Sequence, residues 1–300
     1  MIIIKIAGGL GNQLFQYAFG LSMASFYKTD LKLDISDYKA KVGDPKLGVR
    51  IFVLDNFRIS APLASIAELK EFDFYKHSWF FKKLARFYGR PSSYYKRKYL
   101  IEPEENHFCF DKRVFARHSR GNLYCDGYFQ SEKYFNVVVD QIRNEFVSRE
   151  APDTLNTEML VKIAGANSVA LHVRHGDNAL AAKNNGVLSI DYYHEAIKRL
   201  AAIEKNLIFY IFSDDPEWVK ENLHLEYPAI YVSHNGDAKN YEDLRLMINC
   251  RHHIIGNSTF SWWGAWLGKK PGQKVFAPRC YNVGVDVSGK DFYPADWIIV

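Results

Sequence analysis

The chain has 300 residues, 48% hydrophobic and 24% charged, a balance that easily supplies a globular core for one large or two ordinary domains. A formal net charge of +5 fits an anionic small ligand or an acidic surface and is too weak and scattered for a nucleic-acid-binding protein. No window holds about 18 uninterrupted apolar residues, so no transmembrane helix is predicted. The apolar start Met1–Gly9 is too short for a signal peptide, and the cytoplasm is the expected compartment.

The first predicted element is a strand over Ile2–Ile6, a continuous apolar run suited to a buried parallel sheet. A glycine-rich turn, Ala7-Gly8-Gly9-Leu10-Gly11-Asn12, follows it. Leu14, Ala18, Leu21 and Ser25 then recur with helical period, and Leu31–Asp34 reads as a second strand. From Asp37 to about Asn122 periodicity fades, with a helix predicted near Pro62–Phe72. Ser131 leads into a helix reaching about Val147, and Ser148–Asp153, with Pro152, is the predicted linker.

Beyond the linker, strands and helices alternate. Strands are predicted at Val169–Val173, Leu207–Phe212, Ala229–Val232, His253–Ile255 and Lys274–Phe276. Helices fall between them, one capped by Ser189 and one by Asp215 with Pro216 at its first position. Others cover Glu242–Cys250 and Ser258–Leu267. This alternation predicts an α/β chain with open parallel sheets and helices on both faces. The organisation expected is an N-terminal domain over residues 1–150 and a C-terminal domain over 151–300.

Cys109, Cys125, Cys250 and Cys280 form no Cys-x-x-Cys pair, which argues against a zinc site or redox dithiol. They are expected as buried, reduced thiols. Gly9 and Gly11 resemble the start of a dinucleotide fingerprint, but Leu14 stands where its third glycine belongs, and no Gly-x-x-x-x-Gly-Lys-Ser/Thr loop occurs. The turn still offers close backbone approach, a helix N-terminus and the Asn12 amide to a ligand. A plain tight turn is the alternative reading.

Three later strand ends carry polar groups. His172-Val173-Arg174-His175-Gly176-Asp177 ends the first strand of the second half; His172 and Arg174, two apart, face the same way. A guanidinium fork there suits a diphosphate, whereas an Arg174–Asp177 ion pair is the structural alternative. Ser213-Asp214-Asp215-Pro216 ends the next strand, one carboxylate expected as a helix cap and the other available to ribose or guanine. Gly256-Asn257-Ser258-Thr259-Phe260-Ser261 runs from a strand into a helix N-terminus, a natural phosphate cradle. Trp262, Trp263 and Trp266 are expected in the core. Together the three ends describe a nucleotide-diphosphate site. No Asp-x-Asp motif occurs, so a divalent metal held through that motif is not expected, and no cofactor is expected either.

Five stretches in order carry a resemblance covering nearly the whole chain: Gly8–Tyr17, Gly127–Gln130, His172–Asp177, Phe212–Asp215 and Asn257–Trp263. The sequence resembles the bacterial alpha-1,2-fucosyltransferases. The resemblance implies a GT-B fold, two Rossmann-like domains facing a cleft, the N-terminal one on the acceptor side and the C-terminal one binding GDP-fucose. It implies inverting, metal-independent transfer of L-fucose to O2 of a terminal galactose; the acceptor expected is a galactose-terminated oligosaccharide or lipid-linked glycan. It makes Arg174 the ligand of the donor's β-phosphate, places His172 and Asp214 or Asp215 near guanosine, and has Asn257 and Ser258–Ser261 (Thr259 and Phe260 included) hold the diphosphate. Asn12, beside Gly9 and Gly11, falls near the sugar. His175 departs from the family, which usually has a second arginine there. It is grouped with the donor-binding residues, although neutral imidazole replaces a permanent cation.

The expected reaction is direct displacement at the anomeric carbon, with Arg174 and the helix after Ser258 stabilising the leaving phosphate and Asp177 nominated as base. A nucleotide-sugar or glycan-binding module impaired in turnover is the alternative that His175 raises. Phe72–Tyr99 interleaves aromatics with eight Lys and Arg residues before Tyr99, among them Lys76, Arg86 and Lys98. That composition suits peripheral contact with an anionic membrane, or helical packing with a solvated basic face.

Overall fold

A computed structural model describes residues 1–40, 51–73, 98–116, 121–175, 186–282 and 284–300. The chain divides into two compact units, Met1–Val147 and Ser148–Val300.

The N-terminal unit begins with β1 (Ile2–Lys5), α1 (Leu10–Tyr27) and β2 (Leu31–Asp34). Short helices α2 (Ser36–Ala40) and α3 (Ile66–Lys70) follow, then β3 (Tyr99–Ile101), β4 (Leu123–Asp126) and α4 (Val139–Glu145). The sheet order is β2-β1-β4-β3, with every pair parallel. Ile3 packs with Phe72, Tyr99 and Tyr124 on one face. Phe72 and Tyr99 are thus core residues; residues 74–97 of the basic-aromatic segment lie outside the described residues.

Local chemistry explains several boundaries. α1 starts at Leu10, earlier than periodicity predicts, because Gly8 (φ +80°) turns the chain and Gly9 caps the helix in extended conformation. The helix predicted near Pro62–Phe72 shrinks to five residues, started by a capping box between Ser65 and Glu68. The helix predicted from Ser131 to Val147 is two 3₁₀ turns (Glu132–Tyr134, Asn136–Val138) followed by α4.

The C-terminal unit contains α5 (Thr154–Ala164), β5 (Asn167–Val173), α6 (Ile190–Ile203), β6 (Leu207–Ser213), α7 (Pro216–Asn222) and β7 (Ala229–Val232). It continues through α8 (Asn240–Asn249), β8 (His252–Ile254), α9 (Thr259–Leu267), β9 (Val275–Ala277), β10 (Cys280–Asn282), β11 (Val285–Asp286) and β12 (Ile298–Ile299). Six strands form one parallel sheet in the order β12-β9-β8-β5-β6-β7. Successive β5 residues alternate between two cores. Val169, Leu171 and Val173 pack with α6 and α7, and Ala170 packs with residues of α5 and α8. Trp262 and Trp263 are fully buried and Trp266 nearly so, as expected.

The cysteine expectation needs correction. All four are free, but only Cys125 and Cys250 are buried; Cys280 is exposed and Cys109 partly so. Cys280 sits on the small β10–β11 ribbon, outside the main sheet that would have covered it.

Candidate active site

The strand order of the C-terminal unit has a physical consequence. The chain runs outward from β5 through β6 to β7, then returns to the other side of β5 for β8, β9 and β12. The crossovers therefore diverge between the carboxyl ends of β5 and β8, leaving the crevice where open parallel sheets bind ligands. Arg174 and His175 leave β5 at this point, and Gly256, Asn257 and Ser258 follow β8.

The two strand ends touch. A Cβ on Gly256 would lie 3.0 Å from the carbonyl oxygen of His172, 3.4 Å from its Nδ1 and 3.5 Å from the Tyr193 hydroxyl. His172 is 6% exposed, and its Nδ1 has no hydrogen-bond partner among the described residues. Burial, reinforced by Arg174 and opposed by Asp214, lowers its pKa to about 4. His172 is therefore neutral at pH 7 and can offer one ring donor and one acceptor.

Arg174 Nε stands 3.7 Å from Asp214 Oδ2, both side chains partly accessible. Asp214 Oδ1 also accepts from the His175 backbone N–H at 2.9 Å. The carboxylate expected to be available for ribose or guanine is thus engaged with the strand end beside it. Asp215 has the capping role: its side chain accepts from the Trp218 N–H at 3.2 Å, and Pro216 opens α7. Its other oxygen lies 2.8 Å from His175 Nδ1.

Ser258 caps α9, accepting from the Phe260 N–H at 3.3 Å, and Ser261 Oγ donates to the Ser258 carbonyl. The positive end of the α9 dipole therefore lies beside Gly256 at the crevice. Thr259 is buried, and the Phe260 ring lies 5.8 Å from the His172 ring. The Asn257 amide clamps loops, donating to the carbonyls of Gly186 (2.9 Å) and Tyr281 (2.8 Å), while its Oδ1 is buried without a partner among the described residues. The structure thus brings His172, Arg174, His175, Asp214, Asp215 and Asn257–Ser261 to neighbouring strand ends of one sheet. Asp177 lies outside the described residues.

Gly9, Gly11 and Asn12 belong to the other unit, at the carboxyl end of β1. Gln130 donates to Asn12 Oδ1 at 3.0 Å, so the turn after β1 is tied to the turn after β4. Two buried glutamines inside α1 complete this edge and escaped the sequence reading. Gln13 spans the Gly8 and Ile51 carbonyls and the Val53 N–H; Gln16 joins the Ala7 N–H to the Gly127 carbonyl. Polar residues on an otherwise apolar helix face were the available signal. Among the described residues, no cluster of three His, Cys, Asp or Glu side chains could hold a metal ion.

The C-terminal unit thus has a Rossmann-ordered parallel sheet with a cation, a neutral histidine and a helix N-terminus at its switch point, the place where open α/β sheets hold ligands. The fold is shared with NodZ alpha-1,6-fucosyltransferase, whose crystal structure soaked with GDP-fucose gives a TM-score of 0.52 at 19% identity over 89% of this chain and 91% of that one. It is the GT-B type. Residues 93–300 match the model of Glycosyl transferase family 11, and the chain belongs to that family. An alpha-1,2-colitosyltransferase of Escherichia coli is 31% identical over 99% of this chain and 98% of its own length. A galactoside alpha-(1,2)-fucosyltransferase 1 of Saimiri boliviensis boliviensis is 28% identical over 48% of this chain and 43% of its own.

Proposed function

We propose that this glycosyltransferase moves L-fucose from GDP-β-L-fucose to O2 of a terminal galactose, forming an alpha-1,2 linkage with inversion. The carrying observation is the convergence of Arg174, His172 and the α9 N-terminus on one switch-point crevice, in a family whose relatives are named for alpha-1,2 transfer. In this reading the C-terminal unit, close to residues 151–300, binds the donor, and the N-terminal unit, close to residues 1–150, presents the acceptor.

As the bond between the anomeric carbon and the phosphate oxygen breaks, negative charge grows on the β-phosphate. Arg174 supplies a fixed positive charge and the α9 dipole a partial one, so the barrier falls without reorganisation. Asp214, bonded to the His175 N–H and facing Arg174 Nε, holds the guanidinium in place. Neutral His172 can donate to the nucleoside without repelling Arg174. The reading needs no metal. The experiment is an assay of the purified chain with GDP-fucose across galactose-terminated oligosaccharides; GDP binding without transfer would favour a binding module instead.

Colitose is a second candidate donor sugar, favoured by the relative named for its transfer; competition between the two GDP-sugars at equal concentration separates them. No helix among the described residues is long and apolar enough to cross a membrane. The location this reading favours is the cytoplasm, with peripheral contact to the anionic inner face through the basic residues between Phe72 and Tyr99, these two themselves being buried in the core. That contact rests on composition alone, and flotation with liposomes that is indifferent to anionic lipid removes it.

A further inference from the structure

α6 sends two adjacent tyrosines from just behind its Ser189 cap against the ends of β5 and β8, and both are buried. The Tyr192 hydroxyl is bonded: it donates to the Ile255 carbonyl at 2.6 Å. The Tyr193 hydroxyl is buried with no hydrogen-bond partner among the described residues, and the mechanism above does not use it. His172 Nδ1 is in the same condition and at the same place. A Cβ on Gly256 would lie 3.4 Å from Nδ1 and 3.5 Å from the Tyr193 oxygen, so the two atoms converge on one side of one glycine. All three residues belong to the C-terminal unit. Buried polar atoms are nearly always paired in a folded chain, and these two have complementary chemistry.

We propose that Tyr193 is a positioning residue whose hydroxyl donates to His172 Nδ1, fixing the ring proton on Nε2 and making His172 a hydrogen-bond donor to the nucleotide. The bond is made directly or across one bridging water that relays the same donor sense. The assignment deepens the donor-site reading above and rests on it.

Chemistry sets the direction of the bond. A neutral imidazole has one N–H and one lone pair, and the bond made by one nitrogen decides which of the two carries the proton. Burial, reinforced by Arg174 and opposed by Asp214, keeps His172 uncharged at pH 7. Burial also raises the Tyr193 pKa, opposed by the Arg174 backbone N–H and reinforced by Asp214, so the phenol keeps its proton. One N–H thus already faces the phenol oxygen. A second one, from Nδ1, would leave the hydroxyl proton with no acceptor among the described residues. In the proposed arrangement the hydroxyl proton and the Nδ1 lone pair satisfy each other, and Nε2–H is left for a ligand. A nucleoside diphosphate suits that donor, because phosphate oxygens and the guanine carbonyl only accept. An Nε2 lone pair would repel both.

The test reads the tautomer first. Long-range proton–nitrogen correlation spectra of the full chain with isotope-labelled histidine, at pH 7.5 and without nucleotide, distinguish the two forms, and H172Q identifies the signal. Wild type is expected in the Nε2–H form. Y193F keeps the ring and loses the hydroxyl, and is expected as a mixture or in the Nδ1–H form. Titration calorimetry with GDP then reads the consequence. Kd is expected to rise about tenfold in Y193F, the worth of one hydrogen bond. Adding Y193F to H172Q is expected to cost nothing more, because both losses run through one ring. The Nδ1–H form in wild type overturns the proposal, whether or not Y193F folds. So does a Y193F chain with wild-type tautomer and Kd, or a Y193F loss that persists in the H172Q background, as a merely structural role would give. A wild-type chain that binds no GDP overturns the donor-site reading instead, a result distinct from the tautomer, which is read without nucleotide.

Discussion

The imidazole of His175 lies flat on the indole of Trp218, ring centroids 4.0 Å apart and planes within 9°. Its Nδ1 meets Asp215, the residue that caps the helix carrying Trp218. One side chain thus links the end of β5 to the start of α7. An arginine can make the same two contacts, because a guanidinium is planar, stacks on indole and pairs with carboxylate. His175→Arg is therefore expected to keep or raise kcat at pH 7.5, by adding a permanent cation near the leaving phosphate. Steady-state assays with GDP-fucose check this, and a large loss of turnover contradicts it.

Arg174→Ala removes the cation proposed to face the leaving phosphate and leaves Asp214 without it. The expected cost is at least about 3 kcal/mol of barrier, roughly a hundredfold or more in kcat. Arg174→Lys should restore part of the loss, because a point charge replaces a fork. Equal rates in Arg174→Ala and wild type would remove leaving-group stabilisation by this residue.

His172 gives a pH signature in stability. The unfolded chain protonates this residue near pH 6.5 and the folded chain only near pH 4. Between these values the unfolded state holds the extra proton, so the His172 contribution is full above pH 6.5 and declines as pH falls toward 4. Glu102, just after β3, acts oppositely: burial raises its pKa, which favours the folded state at low pH and loses that contribution as pH rises through about 7. The comparison must therefore be differential. The Tm of His172→Gln relative to wild type should become more favourable from pH 7 to pH 4.5, and a difference independent of pH counts against the assignment.

Gly256→Ala introduces a methyl group 3.0 Å from the His172 carbonyl, a contact that backbone can relieve only by shifting. The expected cost is about 1–3 kcal/mol in stability. Because the shift separates β5 from β8 at the crevice, KM for GDP-fucose should rise more than KM for the acceptor. Calorimetric unfolding and two-substrate kinetics measure both effects.

Local signals located much of this site in advance. Ser189 and Asp215 cap the helices predicted from them, and Ser258, read as the first residue of its helix, caps it, because an N-cap is a short-range hydrogen bond written in neighbouring residues. The β-α alternation after Ser148 was legible because those strands are apolar runs between strongly patterned helices. The role of Asp214 was not, since its partners His175 and Arg174 are about 40 residues away and meet it only through the β5–β6 register.

By itself the sequence determined the alternating architecture, the caps and the polar strand ends, all consequences of interactions spanning a few residues. Tertiary structure alone decided that three-residue β3 and four-residue β4 are strands at all, since segments so short carry no readable period and gain stability only from their neighbours. It likewise decided that Glu102, Gln13 and Gln16 are buried at one edge. Burial of a polar side chain depends on partners as much as 111 positions distant, and no local pattern encodes their approach.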